Sequence, residues 1–128
     1  MEKLTDNQRK TMTKLFEDNG LNEDDVFTHR HYVIISRSGI EKIQFKNNID
    51  VSFSEVVVQP DFVVIKATAK VGDKVVETYG EAHKSNCQNS YFVAMAEKRA
   101  LSRATLKSMN LYQFKVFGED EADDFKRR

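Results

Sequence analysis

Residues 49–80 decide the fold, and they read IDVSFSEVVVQPDFVVIKATAKVGDKVVETYG. Apolar and polar side chains alternate over most of this stretch, which is typical of strands with one buried face. Gln59-Pro60-Asp61 and Gly72-Asp73 are strong turn signals, because proline stops a strand and glycine next to aspartate favours a tight turn. The stretch therefore predicts an antiparallel β-meander with strands over residues 49–58, 62–71 and 74–80.

The two turns also predict which side chains share a face of the sheet, because side chains alternate along a strand. The expected cross-strand pairs are Val57 with Val63, Ala69 with Val76, and Asp50 with Lys70. One face of the predicted sheet is then nearly all apolar and consists of Ile49, Val51, Phe53, Val57, Val63, Ile65, Ala67, Ala69, Val71 and Val76. The opposite face is polar, as in many antiparallel sheets.

The segment before the meander predicts two short helices and one short strand. Thr5 and Gln8 have the capping-box spacing, and apolar residues at helical spacing follow, which predicts a helix over residues 5–19. An acidic turn is expected within residues 22–27 and a fourth, short strand over residues 31–36. Ser38 and Glu41 have the form of a second capping box, which predicts a helix from Ser38 to about residue 45.

The segment after the meander predicts one long helix, over residues 91–109. Val93, Ala96, Ala100 and Ala104 form a row of small residues that lets a helix backbone lie close to a sheet. Phe92, Met95 and Leu106 form a second apolar surface, which we expect a subunit neighbour or the N-terminal helix to cover.

The predicted fold class is α+β: a meander of three to four strands, the long C-terminal helix packed across it, and a shorter N-terminal helix. The whole chain, 1–128, is expected to form a single domain. Its predicted parts are an N-terminal helical segment, an α+β core and an acidic C-terminal tail, over residues 1–28, 29–115 and 116–128.

Composition excludes several classes of protein. The chain of 128 residues carries 20 basic and 20 acidic side chains and is long enough to bury a core without disulfides or metals. Cys87 is the one cysteine, so no disulfide can form within the chain. No apolar run has the length of a membrane span, and residues 1–20 are too charged for a signal peptide, which predicts a cytoplasmic protein without membrane contact.

Basic side chains concentrate in residues 91–115, which hold five basic groups and one acidic group. Arg99, Arg103 and Lys107 are spaced four residues apart, so they form one ridge on the predicted helix. Such a ridge can contact successive phosphates of a nucleic acid, although a solvated helix face is the ordinary alternative. We predict these three residues as DNA contacts, and the further candidates are Lys66, Lys70, Lys84 and Lys98.

No catalytic constellation is recognisable in the sequence. The chain has neither a glycine-rich phosphate loop nor a serine or cysteine nucleophile with a credible histidine and acid partner. His29 with His31, and His83 with Cys87, have spacings that metal ligands use, but no third ligand stands at a typical spacing. We therefore predict a protein that is not an enzyme and has no metal or cofactor.

Two segments resemble the single-strand annealing recombination proteins, which include the phage Erf type and the eukaryotic Rad-fifty-two type. The first is Tyr79-Gly80-Glu81-Ala82, and the second is AEKRALSRA, residues 96–104. In that superfamily a β-meander leads through a glycine-containing turn, here at Gly80, into a long helix rich in alanine and basic residues. Residues 117–125 also look like the segment that ends the core of small phage-borne members, so the resemblance covers roughly residues 30–125.

The resemblance implies a ring-shaped or helical homo-oligomer that holds single-stranded DNA in a positive groove and lets complementary strands pair without ATP. Arg103 matches the basic residue of the family's helix most closely. The rival hypothesis is a small protein-interaction adaptor whose acidic segment, from Glu119 to Asp124, docks on a basic protein partner.

Overall fold

A computed structural model describes residues 4–29, 32–87 and 90–121 of the chain. They form an α+β fold with two three-stranded sheets, and the long helix packs on the larger sheet. The helices are α1 (Asp6–Asp18), α2 (Arg37–Lys46) and α3 (Phe92–Ser108). The strands are β1 (Val26–His29), β2 (Tyr32–Ile35), β3 (Asp50–Gln59), β4 (Phe62–Val71), β5 (Lys74–His83) and β6 (Val116–Gly118). Within the described ranges, no helix combines the length and the apolar content needed to cross a lipid bilayer.

The larger sheet is an antiparallel meander in the order β3-β4-β5. Its register places Asp50 opposite Lys70 and Ala69 opposite Val76, which confirms two of the predicted pairs. β5 continues to His83, beyond its predicted end. Gly80 therefore lies inside a strand and not in a turn, which corrects the prediction.

A β-bulge in β3 makes the third predicted pair wrong. The register shifts between Glu55 and Val57, so Val57 lies opposite Val64 and Val58 lies opposite Val63. The bulge inserts one extra residue, Val56, and the alternation of side chains cannot reveal such an insertion. Val56 and Val58 are each 52% exposed, because α3 covers β4 and β5 and hardly reaches β3.

The smaller sheet has the order β1-β2-β6 and contains two strands that were not predicted. β1 pairs with β2 as an antiparallel hairpin, and β6 pairs with β2 in parallel. The first residues of the predicted acidic tail thus belong to the α+β core, and residues 119–121 begin a helical turn directly after β6. A strand of three residues is too short to show a period, and the partner of β6 lies far away along the chain.

The N-terminal ends of α1 and α2 show one confirmed cap and one corrected cap. Thr5 and Gln8 form the predicted capping box of α1. The cap of α2 is Ser36, whose Oγ accepts a hydrogen bond from the Gly39 N–H at 3.1 Å. Ser38 instead donates to Asp25 Oδ1 at 2.8 Å, so the helix begins earlier than predicted.

The core lies between α3 and the two sheets. Ala96, Ala100 and Ala104 are fully buried, as the small-residue row predicts, whereas Val93 is 49% exposed. Leu106 is buried in the same cluster as residues of α2 and the smaller sheet, and Met95 is buried in a cluster with residues of β4 and β5. The second apolar surface of α3 is therefore largely covered within the chain.

Gly80 sets the distance between α3 and β5. A β-carbon at this position would lie well inside van der Waals contact with the carbonyl oxygen of Ala96 and the backbone nitrogen of Ala100. Thr78 Oγ1, in the same strand, donates to Ala100 O at 2.8 Å. The helix backbone thus rests directly on the strand, which only a residue without a side chain permits.

We predict that Gly80→Ala lowers the free energy of unfolding by about 3 kcal/mol, because the methyl group forces the helix backbone away from the strand. The control is Gly20→Ala, where φ is +74° but no atom lies within 4 Å of the added carbon. It should cost only about 1 kcal/mol of backbone strain. Urea unfolding measures both values, and equal losses in the two variants would contradict this account of Gly80.

A buried carboxylate, Asp25, joins the segment before β1 to α2. Asp25 is 2% exposed, and its oxygens accept hydrogen bonds from Ser38 Oγ at 2.8 Å, Lys42 Nζ at 2.6 Å and Asn22 N at 3.0 Å. Burial by itself would raise the pKa of this carboxyl, but Lys42 and the other donors outweigh it and lower the pKa from 3.8 to about 2. The carboxylate is therefore ionised throughout the neutral range.

The lowered pKa of Asp25 predicts a specific loss of stability in acid. Because the folded pKa lies below the unfolded one, the carboxylate stabilises the fold above about pH 4, and this contribution disappears as the pH falls toward about 2. A shift of this size corresponds to about 2 kcal/mol. In urea unfolding, the free energy of unfolding should fall less between about pH 6 and pH 3 in Asp25→Asn than in the unchanged chain. Asp18→Asn, at an exposed position of α1, should lose as much unfolding free energy in acid as the unchanged chain does. Identical pH profiles for all three chains would contradict the role given to Asp25.

Candidate nucleic-acid interface

Arg99, the first residue of the predicted ridge, is buried. It is 3% exposed, and its Nη1 donates to Glu81 O at 2.8 Å and to Asn86 Oδ1 at 3.0 Å. Its Nη2 donates to Asn86 O at 2.6 Å and its Nε to Asp120 O at 3.2 Å. The guanidinium group therefore joins β5, the loop after it and the segment after β6. Contrary to the prediction, the structure places Arg99 where a phosphate does not reach it.

Arg103, the second residue of the ridge, is half-buried at the free edge of β5. Its Nη1 donates to Tyr79 O at 2.6 Å, and Nη1 and Nη2 each lie 3.1 Å from one carboxylate oxygen of Glu81. Its Nε donates to Glu121 Oε2 at 3.4 Å. Burial lowers the pKa of Arg103, but Glu81 and Glu121 raise it by more than burial lowers it. The pKa of Arg103 therefore lies above its ordinary value. Arg103 is charged, and partners in its own chain hold most of its donors.

The two segments that carry the family resemblance thus meet in space. Gly80 lies under the backbone of Ala96 and Ala100, while the neighbouring Glu81 binds both Arg99 and Arg103. We call this set of interactions the α3–β5 contact. The glycine, alanines and arginines of these two segments thus have a structural role, because they pack the helix on the strand.

The predicted lysines on the sheet do not converge with this ridge. Val63, Ile65, Ala67 and Ala69 of β4 face α3, so the alternating Lys66 and Lys70 project from the opposite face of the sheet. Lys66 Nζ lies 2.7 Å from Glu77 Oε2, and this partner raises the pKa of the lysine. Lys70 is exposed on β4, across from Asp50 of β3.

The remaining candidates are Lys84 and Lys98. Lys84 lies in the loop after β5, with its side chain 78% exposed and its Nζ 3.8 Å from Asp61 Oδ2. Lys98 is half-buried on α3. The predicted cations therefore occupy several surfaces and do not form one continuous patch.

Lys107 is the exposed member of the ridge, and it lines a groove at the C-terminal end of α3. The groove has a volume of about 450 Å³, and its other lining residues are Asn110, Tyr112 and Gln113. Asn110 has a left-handed backbone with φ of 57°, and Gln113 Nε2 donates to Asn110 O at 2.9 Å. Within the described part of the chain, no carboxylate forms an ion pair with Lys107. The carboxamides of Asn110 and Gln113 were missed from the sequence, although they flank Tyr112 directly after the predicted helix.

Tyr112 connects this groove to a largely buried carboxylate, that of Glu121. The Tyr112 hydroxyl donates to Glu121 Oε1 at 3.1 Å, and the Gly118 N–H donates to the same oxygen at 3.2 Å. Burial raises the pKa of Glu121 against the opposing effects of Gly118, Arg103 and Tyr112. Burial and the charge of Glu121 also raise the pKa of Tyr112. The phenol is therefore a neutral hydrogen-bond donor that faces both the groove and the carboxylate.

Substitution of Arg99 separates a structural role from DNA contact. We predict that Arg99→Lys lowers the free energy of unfolding by about 3 kcal/mol, because lysine keeps the charge but cannot serve the carbonyl oxygens of Glu81, Asn86 and Asp120 together. Lys107→Ala, at an exposed position, should change it by less than about 0.5 kcal/mol. Urea unfolding tests both, and an Arg99→Lys chain as stable as the unchanged one would show that Arg99 is not structural.

Comparison of the chain with protein-family models, with curated proteins and with solved structures finds no match in any of the three. The resemblance to single-strand annealing proteins therefore stays a prediction.

Proposed function

We propose that the chain binds single-stranded DNA without sequence preference and promotes strand annealing, as a protein that is not an enzyme. The observation that carries the proposal is the groove at the end of α3, where an exposed lysine lies beside a phenol and two carboxamides. Lys107 supplies the positive charge for a phosphate, and the carboxamide N–H groups of Asn110 and Gln113 supply hydrogen bonds. None of these groups requires a particular base, which suits binding to the DNA backbone.

A single groove would bind DNA weakly, which favours a protein that binds DNA through several copies of the groove. One free lysine neutralises about one phosphate, and such a contact is weak at physiological salt. Several copies linked in a ring or a helical assembly would raise the effective concentration of each further contact. The proposed partners are therefore single-stranded DNA and further copies of the same chain.

The adaptor hypothesis has less support from the structure. It requires the acidic segment to be free for a basic protein, but Glu119 Oε1 lies 3.4 Å from the Arg37 nitrogen, Asp120 Oδ2 lies 3.5 Å from Ser102 Oγ, and the Glu121 side chain is 10% exposed. Asp123 and Asp124 lie outside the described residues. The acidic side chains that the structure describes in this segment thus form hydrogen bonds within the chain.

Fluorescence anisotropy with labelled oligothymidylate at two salt concentrations tests the proposal. We expect binding that weakens steeply with salt, and Lys107→Ala should weaken it about threefold to tenfold and lower the slope against log salt concentration by about one. The matched control is Lys46→Ala, which removes an exposed lysine at the end of α2. No binding at low salt, or equal losses in the two variants, would contradict the proposed groove.

A further inference from the structure

The carboxylate of Glu121 occupies a site made of three hydrogen-bond donors. Oε1 accepts from the Tyr112 hydroxyl and from the Gly118 N–H, and Oε2 accepts from Arg103 Nε. The side chain of Glu121 is 10% exposed, so its charge is largely removed from water. A guanidinium group, a phenol and a backbone N–H directed at one anion are the groups that proteins use to bind phosphate.

We propose that Arg103, Tyr112 and Gly118 form a binding site for a phosphodiester, that Glu121 occupies it in the free protein, and that the backbone of single-stranded DNA displaces Glu121. This inference rests on the proposed function and adds a regulatory contact to it. The C-terminal segment acts as an internal competitor of DNA, and the strand must replace it to use Arg103.

The three hydrogen bonds to Glu121 are long. They measure 3.1 Å, 3.2 Å and 3.4 Å, and the longest, from Arg103 Nε, exceeds the usual N–H···O range of about 2.7–3.2 Å. Arg103 already shares its charge with Glu81 through two contacts of 3.1 Å. Glu121 is therefore the second carboxylate on one guanidinium group, and a better-placed anion can replace it.

Charge balance identifies the class of ligand. A phosphodiester carries one negative charge, as the Glu121 carboxylate does, so the exchange leaves the charge around Arg103 unchanged. A phosphomonoester or inorganic phosphate would bring up to two negative charges next to Glu81, which stays bound to Arg103. The site therefore favours the backbone of a nucleic acid over free phosphate or a phosphorylated protein.

The site is continuous with the proposed groove. Tyr112 lines the groove and also donates to Glu121. Arg103 and Lys107 are one helical turn apart on α3, which places their β-carbons about 6 Å from each other. A DNA strand that binds Lys107 thus has its next phosphate near the position that Glu121 holds.

Anisotropy titration with labelled oligothymidylate tests the displacement in Glu121→Gln and Glu119→Gln. Both variants remove one negative charge from the same segment, but Glu119 lies outside the three-donor site, at the Arg37 N–H. We expect Glu121→Gln to bind about fivefold more tightly with the same slope against log salt concentration, because the strand no longer has to displace a carboxylate but makes the same phosphate contacts. Glu119→Gln should bind less than about twofold more tightly. Equal gains in the two variants, or no gain in Glu121→Gln, would overturn the inference.

Hydrogen exchange of the unchanged chain gives a second test that does not depend on the folding of a variant. Saturating oligothymidylate should speed the exchange of backbone amides over residues 119–121, while inorganic phosphate at the same concentration should not. DNA binding with unchanged or slower exchange there would overturn the displacement and leave the proposed function standing. No DNA binding by the unchanged chain or by either variant would instead contradict the proposed function itself.

Discussion

The close approach of α3 to β5 over Gly80 is the constraint on which the rest of the structure depends. Because Gly80 has no side chain, the backbone of Ala96 and Ala100 lies directly on the strand. This short distance lets Arg99 and Arg103 reach the carbonyl oxygens of Glu81 and Tyr79 at the free edge of β5. The arginines close that edge, so the same residues that position the helix also satisfy backbone groups that a neighbouring strand would otherwise bind.

This arrangement determines where the chain can bind a partner. A cation that takes part in the α3–β5 contact is not free to bind DNA, and the available positive charge is that of Lys107, one helical turn beyond Arg103. There the helix ends, and the left-handed backbone at Asn110 turns the chain so that Tyr112 comes to lie between the groove and Glu121. The strand β6 then brings the acidic segment back to the helix. The basic ridge and the acidic segment, which are close in the sequence, thus also lie next to each other at the end of α3.

Local patterns in the sequence predicted a large part of the fold. The capping box at Thr5, the alternation over residues 62–71 and the row of small residues on α3 each depend on neighbours a few residues away, and each is found in the structure. The errors involve interactions between distant parts of the chain. The bulge at Val56 depends on the partner strand, β6 depends on β2, and the burial of Arg99 depends on Glu81, Asn86 and Asp120 together. For the same reason the sequence predicted the ridge but not that Arg99 would be buried, Arg103 half-buried and Lys107 exposed.

Arg99 and Arg103 hold the helix to the strand through their Nη–H groups. Nuclear magnetic resonance of these guanidinium Nη–H groups in the free protein tests this most directly. The Nη–H protons of Arg99 and Arg103 should exchange with water much more slowly than those of Arg9, which is exposed on α1. Exchange of Arg99 and Arg103 as fast as that of Arg9 would contradict it, because both groups would then be solvated and the α3–β5 contact would not exist in solution.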